Sequence, residues 1–388
     1  MCISHKDSYR RDKQNIMNVL ILSCNTGAGH NTAATALKNH FLSLNIPCEM
    51  ADSLAHISKP ASHIISDGHV FIYRKLPTTF GKAYEYEETH SMKPVYKLMS
   101  LGAESLYRKI REEGYDTIIC THVFAAMMVT EIKKRHKSNF KHYFISTDYT
   151  CHPGMEEVDA DVYFTPHPLI DEEFARKGDS PEKLIPYGIP IRDEFYTPIG
   201  KQEARRKLEL PENARILLLS CGSMGAGPMM KLATDLASNI GKNAYLVAIC
   251  GTNQHLYNKM SEALAERSNV RVIGFTQRIK LYMEASDLFL TKPGGLSSTE
   301  AFYLRLPMIA INAVPGCETR NIEFFEKHGL AETAKSADDI VHLALRRLRD
   351  EKYLGKISER IADFFKGNPT ADICEEIIKG AKDFASEN

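Results

Sequence analysis

The chain has 388 residues, 43% hydrophobic and 25% charged, a globular mixture long enough for two domains of ordinary size and unlike that of a disordered or fibrous protein. Its 49 basic and 49 acidic residues cancel, so no overall field recruits nucleic acid, while a local patch for anionic lipid stays open. The nine cysteines stand singly with no CxxC pair, which argues against a disulfide framework or a structural zinc site and fits a reducing compartment.

Residues 1–17 form a polar tail that lacks the apolar middle of a secretory signal. No apolar stretch approaches the roughly 20 residues needed to span a bilayer, so the expectation is a cytoplasmic protein whose membrane contact is peripheral. Asn18 to Cys24 (NVLILSC) reads as a strand buried on both faces, and a glycine turn closes it. Asn31 to Leu44 follows with helical spacing at Ala33, Ala34, Leu37, Phe41 and Leu44, which opens a βαβ unit.

Residues Ser58 to Leu101 break this rhythm, being rich in Tyr, Phe, His and Lys. They suit either an irregular insertion with a helix or an interfacial segment, since aromatic rings among basic side chains fit a headgroup layer. Strands are then predicted at Thr117–Cys120, Tyr143–Ser146 and Val162–Phe164. A second series runs through Ile216–Ser220, Tyr245–Cys250, Val270–Ile273, Leu288–Leu290 and Met308–Ile311. Two successive α/β sets suggest two doubly wound domains, 18–197 and 198–370, divided where Pro198 and Gly200 break periodicity, with 371–388 as a terminal helix.

Candidate chemistry gathers in the loops after the strands. In Asn25-Thr26-Gly27-Ala28-Gly29-His30, Gly27 and Gly29 allow close backbone approach to an anion or hydroxyl, and His30 is either a base placed to take a proton near neutral pH or simply a helix-start residue after a turn. Ser146-Thr147-Asp148 follows a strand, so Asp148 is either a partner of His30, a base itself or a cap, and His152 can line the same mouth. Gly188-Ile189-Pro190-Ile191-Arg192 precedes the domain boundary, with Arg192 a candidate for a pyrophosphate. Gly222 and Gly225 lie in a glycine loop opening the second set, without the Gly-Lys-Ser/Thr of an ATPase loop.

The segment Lys292-Pro293-Gly294-Gly295-Leu296-Ser297-Ser298-Thr299-Glu300 carries a glycine turn, then hydroxyls at an expected helix start. It offers donors to a diphosphate, with Glu300 placed for ribose hydroxyls; the plainer alternative is a capping box of Ser297 with Glu300. Glu318 and Asn321, three apart, share one helical face and suit the hydroxyls of a hexose.

These clusters, with Cys250-Gly251-Thr252-Asn253, Gly274-Phe275-Thr276 and Pro315-Gly316-Cys317-Glu318, occur in an order that resembles the processive diacylglycerol glucosyltransferases and monogalactosyldiacylglycerol synthases. That family is related to the lipid-intermediate N-acetylglucosaminyltransferase of peptidoglycan synthesis. The resemblance covers residues 18 to 330 and implies an α/β GT-B fold, two Rossmann-like domains facing across a cleft. It implies an inverting transfer of glucose or galactose from a UDP-sugar to diacylglycerol or another lipid, at the inner face of the cell membrane, without metal or other cofactor.

In that reading His30 or Asp148 is the base, and Phe275 lies near the uracil. Gly222, Gly225, Gly251 and Asn253 belong to the donor site, with Gly294, Gly295, Ser297 and Ser298 around the diphosphate. Asp159-Ala160-Asp161 spells a metal-binding pair but reads as turn residues. Cys317 departs from the glutamine common in relatives, which leaves the sugar open. Rival readings are a transferase of N-acetylglucosamine to an undecaprenyl-linked intermediate, a UDP-sugar 2-epimerase and a non-catalytic UDP-sugar sensor.

Overall fold

A computed structural model describes residues 17–24, 28–57, 77–178, 180–225, 227–311 and 316–387. Gly27, Pro315, most of the N-terminal tail and the first part of the aromatic segment lie outside them.

Among the described residues the chain builds two six-stranded parallel sheets. The first comprises β1 (Val19–Ser23), β2 (Cys48–Asp52), β3 (Thr117–Cys120), β4 (Lys141–Ile145), β5 (Val162–Phe164) and β6 (Leu184–Ile185), in the order β2-β1-β3-β4-β5-β6. The second comprises β7 (Arg215–Ser220), β8 (Ala244–Ile249), β9 (Val270–Ile273), β10 (Leu288–Thr291), β11 (Met308–Ala310) and β12 (Ala331–Thr333), in the order β12-β11-β10-β7-β8-β9. Central strands such as β1 and β10 are buried along their whole length because helices cover both faces, which is why they read as unbroken apolar runs.

The strand order reverses between β1 and β3 in one sheet and between β7 and β10 in the other. Such switch points open a crevice beyond the carboxyl ends of the strands, where ligands of open α/β sheets bind. The two sets are tied together. Tyr149, 1% exposed, stacks on Phe324 and stands edge-on to Phe325, while its hydroxyl hydrogen-bonds Thr299 at 2.8 Å. The last helix, Pro369–Glu387, packs Ile373, Cys374 and Ile377 against Val19, Ile21, Leu37 and Phe41 of the first sheet layer. At its start the Thr370 hydroxyl donates to the Ile191 carbonyl at 2.7 Å and accepts from the Ile191 N–H at 3.1 Å. Among the described residues no helix is long and apolar enough to cross a membrane.

Candidate active site

A cleft of about 1120 Å³ opens between the two sheets. Loops after β1, β3 and β4 bring His30, Thr121, His122, Thr147, Asp148 and His152 to one wall. Loops after β7, β8, β9, β10 and β11 bring Gly222, Gly251, Phe275, Lys292, Gly294 and Glu318 to the other. Arg192, Gly29, Gly295, Ser297 and Glu300 line it as well. Residues scattered over nearly 300 positions thus meet because every one of these loops leaves the carboxyl end of a parallel strand.

On the first wall His30 lies in the opening turn of the helix Ala28–Ser43. Its Nδ1 is 2.8 Å from the Thr121 carbonyl oxygen and 2.8 Å from Thr147 Oγ1. A carbonyl only accepts, so Nδ1 carries the proton in the neutral ring and Nε2 is the basic nitrogen. The ring stands edge-on to His122, 4.5 Å between centroids. Asp148 turns the other way: its Oδ2 pairs with His152 Nε2 at 3.1 Å. Its Oδ1 accepts from Asn321 Nδ2 at 2.7 Å and from the Gly295 N–H at 3.3 Å. Burial alone would raise the Asp148 carboxyl, but His152, with His30 and Asn321, outweighs it and holds the group below its ordinary value. The orienting contacts of His30 at Nδ1 therefore come from Thr121 and Thr147, and Asp148 is an ionised hub between the two halves.

On the second wall the helix Gly295–Tyr303 starts at Gly294 with no side-chain cap, so the first-turn N–H groups carry the positive end of its dipole. The alternative of a capping box is absent, because Ser297 sits inside the first turn instead of before it. Lys292 pairs with Glu318 at 3.2 Å, both nearly buried. Arg192 bridges Glu300 at 3.2 Å and Glu194 at 2.8 Å and lies over the Phe195 ring. Phe275 stands 64% exposed on the rim, an apolar face open to a planar ring.

Burial pushes Glu300 up to about 7, with Arg192 pulling it down without cancelling the effect. A carboxyl raised on folding lends stability that is complete below its unfolded value and lost as pH rises through the folded one. Glu300→Gln should therefore gain on the wild type as pH rises, from near parity at pH 4 to as much as roughly 3 kcal/mol at pH 8. Urea titrations at several pH values check this; a difference that does not change with pH refutes it.

Several expected site residues do other work. Gly29 sits within a helix turn rather than at a left-handed loop position, because the helix begins at Ala28 and not at Asn31. Gly225 and Gly251 hold two loops together: a side chain at the first would strike the Cys250 carbonyl, and at the second the Ser223 carbonyl. Gly251 still lines the cleft, while Gly225 is spent on packing. Asn253 caps the helix Gln254–Ala263, accepting from Leu256 N–H at 3.0 Å. Ser298 is fully buried in its helix.

Asn321 is fully buried too. It receives the Tyr149 N–H at 2.7 Å and donates to Asp148 and to the Pro293 carbonyl, so its amide is used up in joining the two halves. Asp161 is held by Lys133 and the His142 N–H, and neither it nor Asp159 lines the cleft. Thr121, His122 and Tyr84 line the cleft too, and no sequence motif marks them. Thr121 and His122 directly follow β3, so their place at a strand's carboxyl end was the available signal.

Residues 30–191 match the monogalactosyldiacylglycerol (MGDG) synthase family, and residues 200–364 match the group 1 glycosyl transferases. The processive diacylglycerol β-glucosyltransferase of Bacillus subtilis strain 168 is 27% identical over 369 residues, covering 93% of this chain and 94% of that protein. The enzyme of the same description from Staphylococcus carnosus strain TM300 is 24% identical over 372 residues, covering 93% and 92%. In structure the chain is similar to Acinetobacter baumannii MurG, with a TM-score of 0.63 at 15% identity over 94% of this chain and 99% of that one. It is also similar to the UDP-GlcNAc 2-epimerase of Neisseria meningitidis, with a TM-score of 0.62 at 12% identity over 94% and 100%. The structural likenesses establish the two-sheet GT-B fold, and the family matches establish the chemistry class. The chain is a GT-B glycosyltransferase whose first half matches the monogalactosyldiacylglycerol synthase family and whose second half matches the group 1 glycosyl transferases.

Proposed function

We propose that this enzyme moves glucose or galactose from a UDP-sugar to the hydroxyl of diacylglycerol, with inversion and without a metal, at an anionic membrane surface. The observation that carries the reading is the facing of two unlike walls across one cleft. One holds His30 with Nε2 as its basic nitrogen; the other holds a helix start with glycine in the cap position, Glu300 and an exposed aromatic ring.

His30 is the better base of the two candidates. Asp148 is held below its ordinary value and already accepts three hydrogen bonds, so it is a weak proton acceptor and a good fixed charge. Nε2 of His30 takes the proton of the acceptor hydroxyl as its oxygen attacks the anomeric carbon, and the bond from that carbon to the UDP oxygen breaks. Attack from the side opposite UDP inverts the centre. The charge growing on the departing diphosphate is met by the Leu296 and Ser297 N–H groups in the first turn of the helix Gly295–Tyr303, since the Gly295 N–H is given to Asp148, with Gly294 leaving open space before them. Phe275 offers a face to uracil, and Glu300 accepts from ribose hydroxyls. Lys292 and Glu318 lie where the hexose would enter, beside Cys317.

A membrane-facing side is supported by the helices Pro77–Thr89 and Lys93–Ser100. Beside exposed Tyr86, Leu98 and Leu101 they carry exposed Lys82, Lys93 and Lys97 along with Glu85, Glu87 and Glu88, a mixed aromatic and charged surface suited to a headgroup layer. Radiolabelled UDP-glucose and UDP-galactose, each offered with diacylglycerol vesicles and no added metal, test the proposal. Label should pass into the organic-extractable lipid from one donor; absence of lipid label from both, with UDP binding intact, would overturn the acceptor assignment.

A further inference from the structure

Tyr84 lies on the helix Pro77–Thr89, in a stretch where no sequence motif points to chemistry. Its side chain is 7% exposed and its ring lines the cleft. The ring stands edge-on to His152, 6.4 Å between centroids. Its hydroxyl is shut away from solvent and finds no hydrogen-bond partner among the described residues. An unpaired buried hydroxyl is a standing cost to the fold, and native proteins seldom carry one without a use.

The helix that carries Tyr84 is pinned to the other half of the molecule beside the cleft. Arg320, on the helix Cys317–Lys327, grips Glu88 with two hydrogen bonds, Nε to Oε1 at 3.1 Å and Nη2 to Oε2 at 2.8 Å. The ion pair fixes the helix, and with it the position of the ring. Burial pushes the phenol up, with the neighbouring Cys317 and Asp148 adding to the effect, so the group stays protonated and offers an O–H. Its helix belongs to the half that carries His30 and Asp148, the acceptor's side of the proposed reaction, and the phenol lies near Cys317 of the other half.

We infer that Tyr84 is an acceptor-binding residue, whose O–H donates to an oxygen next to the attacking hydroxyl and so selects acceptors with such a neighbouring oxygen. The attacking oxygen itself gives its proton to the base, and a hydrogen bond donated to it would only weaken it as a nucleophile. In a diacylglycerol the neighbouring oxygen belongs to an ester. The inference rests on the acceptor reading given above.

Tyr84→Phe tests it with dioleoylglycerol in phosphatidylcholine vesicles as the probe. Removing an orphan hydroxyl should leave Tm unchanged or raise it and leave UDP affinity within about twofold. It should lower kcat/KM for dioleoylglycerol by about 10- to 100-fold. Transfer within about threefold of wild type would overturn the inference. So would a loss that comes with a lower Tm, which marks a structural role, or one that falls on UDP affinity, which places the hydroxyl at the donor. A wild type inactive on dioleoylglycerol is a failure of the acceptor reading; an active wild type with an unchanged Tyr84→Phe is a failure of this inference alone.

Discussion

His30→Ala is expected to lower transfer by about 10³-fold while leaving UDP affinity within about twofold, because in the proposed reaction the ring supplies the proton acceptor, and the groups that orient it, Thr121 and Thr147, belong to the acceptor half. The companion variant is Asp148→Asn. Its carboxylate receives His152, Asn321 and the Gly295 N–H, so the amide disturbs placement rather than proton transfer, and turnover should fall less than in His30→Ala. If the order reverses, Asp148 is the base. If both variants stay within tenfold of wild type, the reaction does not run in this cleft.

The pH profile separates the candidates a second way. Asp148 is held below its ordinary value and remains ionised throughout the neutral range, so as base it would give a rate flat there. An imidazole base brings an acid limb within reach of neutral pH. Unchanged Tm in both variants, measured alongside, keeps unfolding out of the comparison.

The parts of this site that could be read from sequence are those where one local rule fixes the outcome. Apolar runs such as Val19–Leu22 and Leu288–Leu290 give central strands because both faces are buried, and the loops after them had to lie at one edge of a sheet. The edge strands β2, β6 and β12 were not legible: β2 is half-buried with charged residues, and the other two have three residues or fewer. The meeting of Asp148 with Gly295 and Asn321 was hidden for a different reason. Those partners lie 147 and 173 residues away, and no spacing rule reaches so far. Asn321 reads as a sugar contact on a helical face, yet that face turns inward and its amide closes the seam between the halves. Tyr84 gave no cue at all, since a tyrosine among many aromatic residues is legible only when its hydroxyl is seen to be alone.

Gly294 and Gly295 look interchangeable in sequence and should behave in opposite ways. A methyl group at Gly294 meets nothing within 4 Å, and the backbone there has an ordinary φ of −74°, so Gly294→Ala should keep stability within about 0.5 kcal/mol. The new methyl group would nevertheless occupy space proposed for the diphosphate, so UDP affinity should drop by about tenfold or more. At Gly295 the methyl group would overlap the carbonyl oxygen of Thr147, on the opposite half of the molecule. A carbonyl held by the backbone cannot swing aside as a flexible side chain does, so the two halves must part or the loop after β4 must shift. Either response pulls Asp148 from the Gly295 N–H and displaces Thr147, which holds His30. Stability should fall by about 2–3 kcal/mol and transfer by 10²-fold or more, since a displacement of about 1 Å in a reacting group is enough for that loss. Thermal melts, calorimetric UDP binding and transfer assays on the two variants decide the matter. Equal stability in both would mean that the seam between the halves does not depend on this glycine.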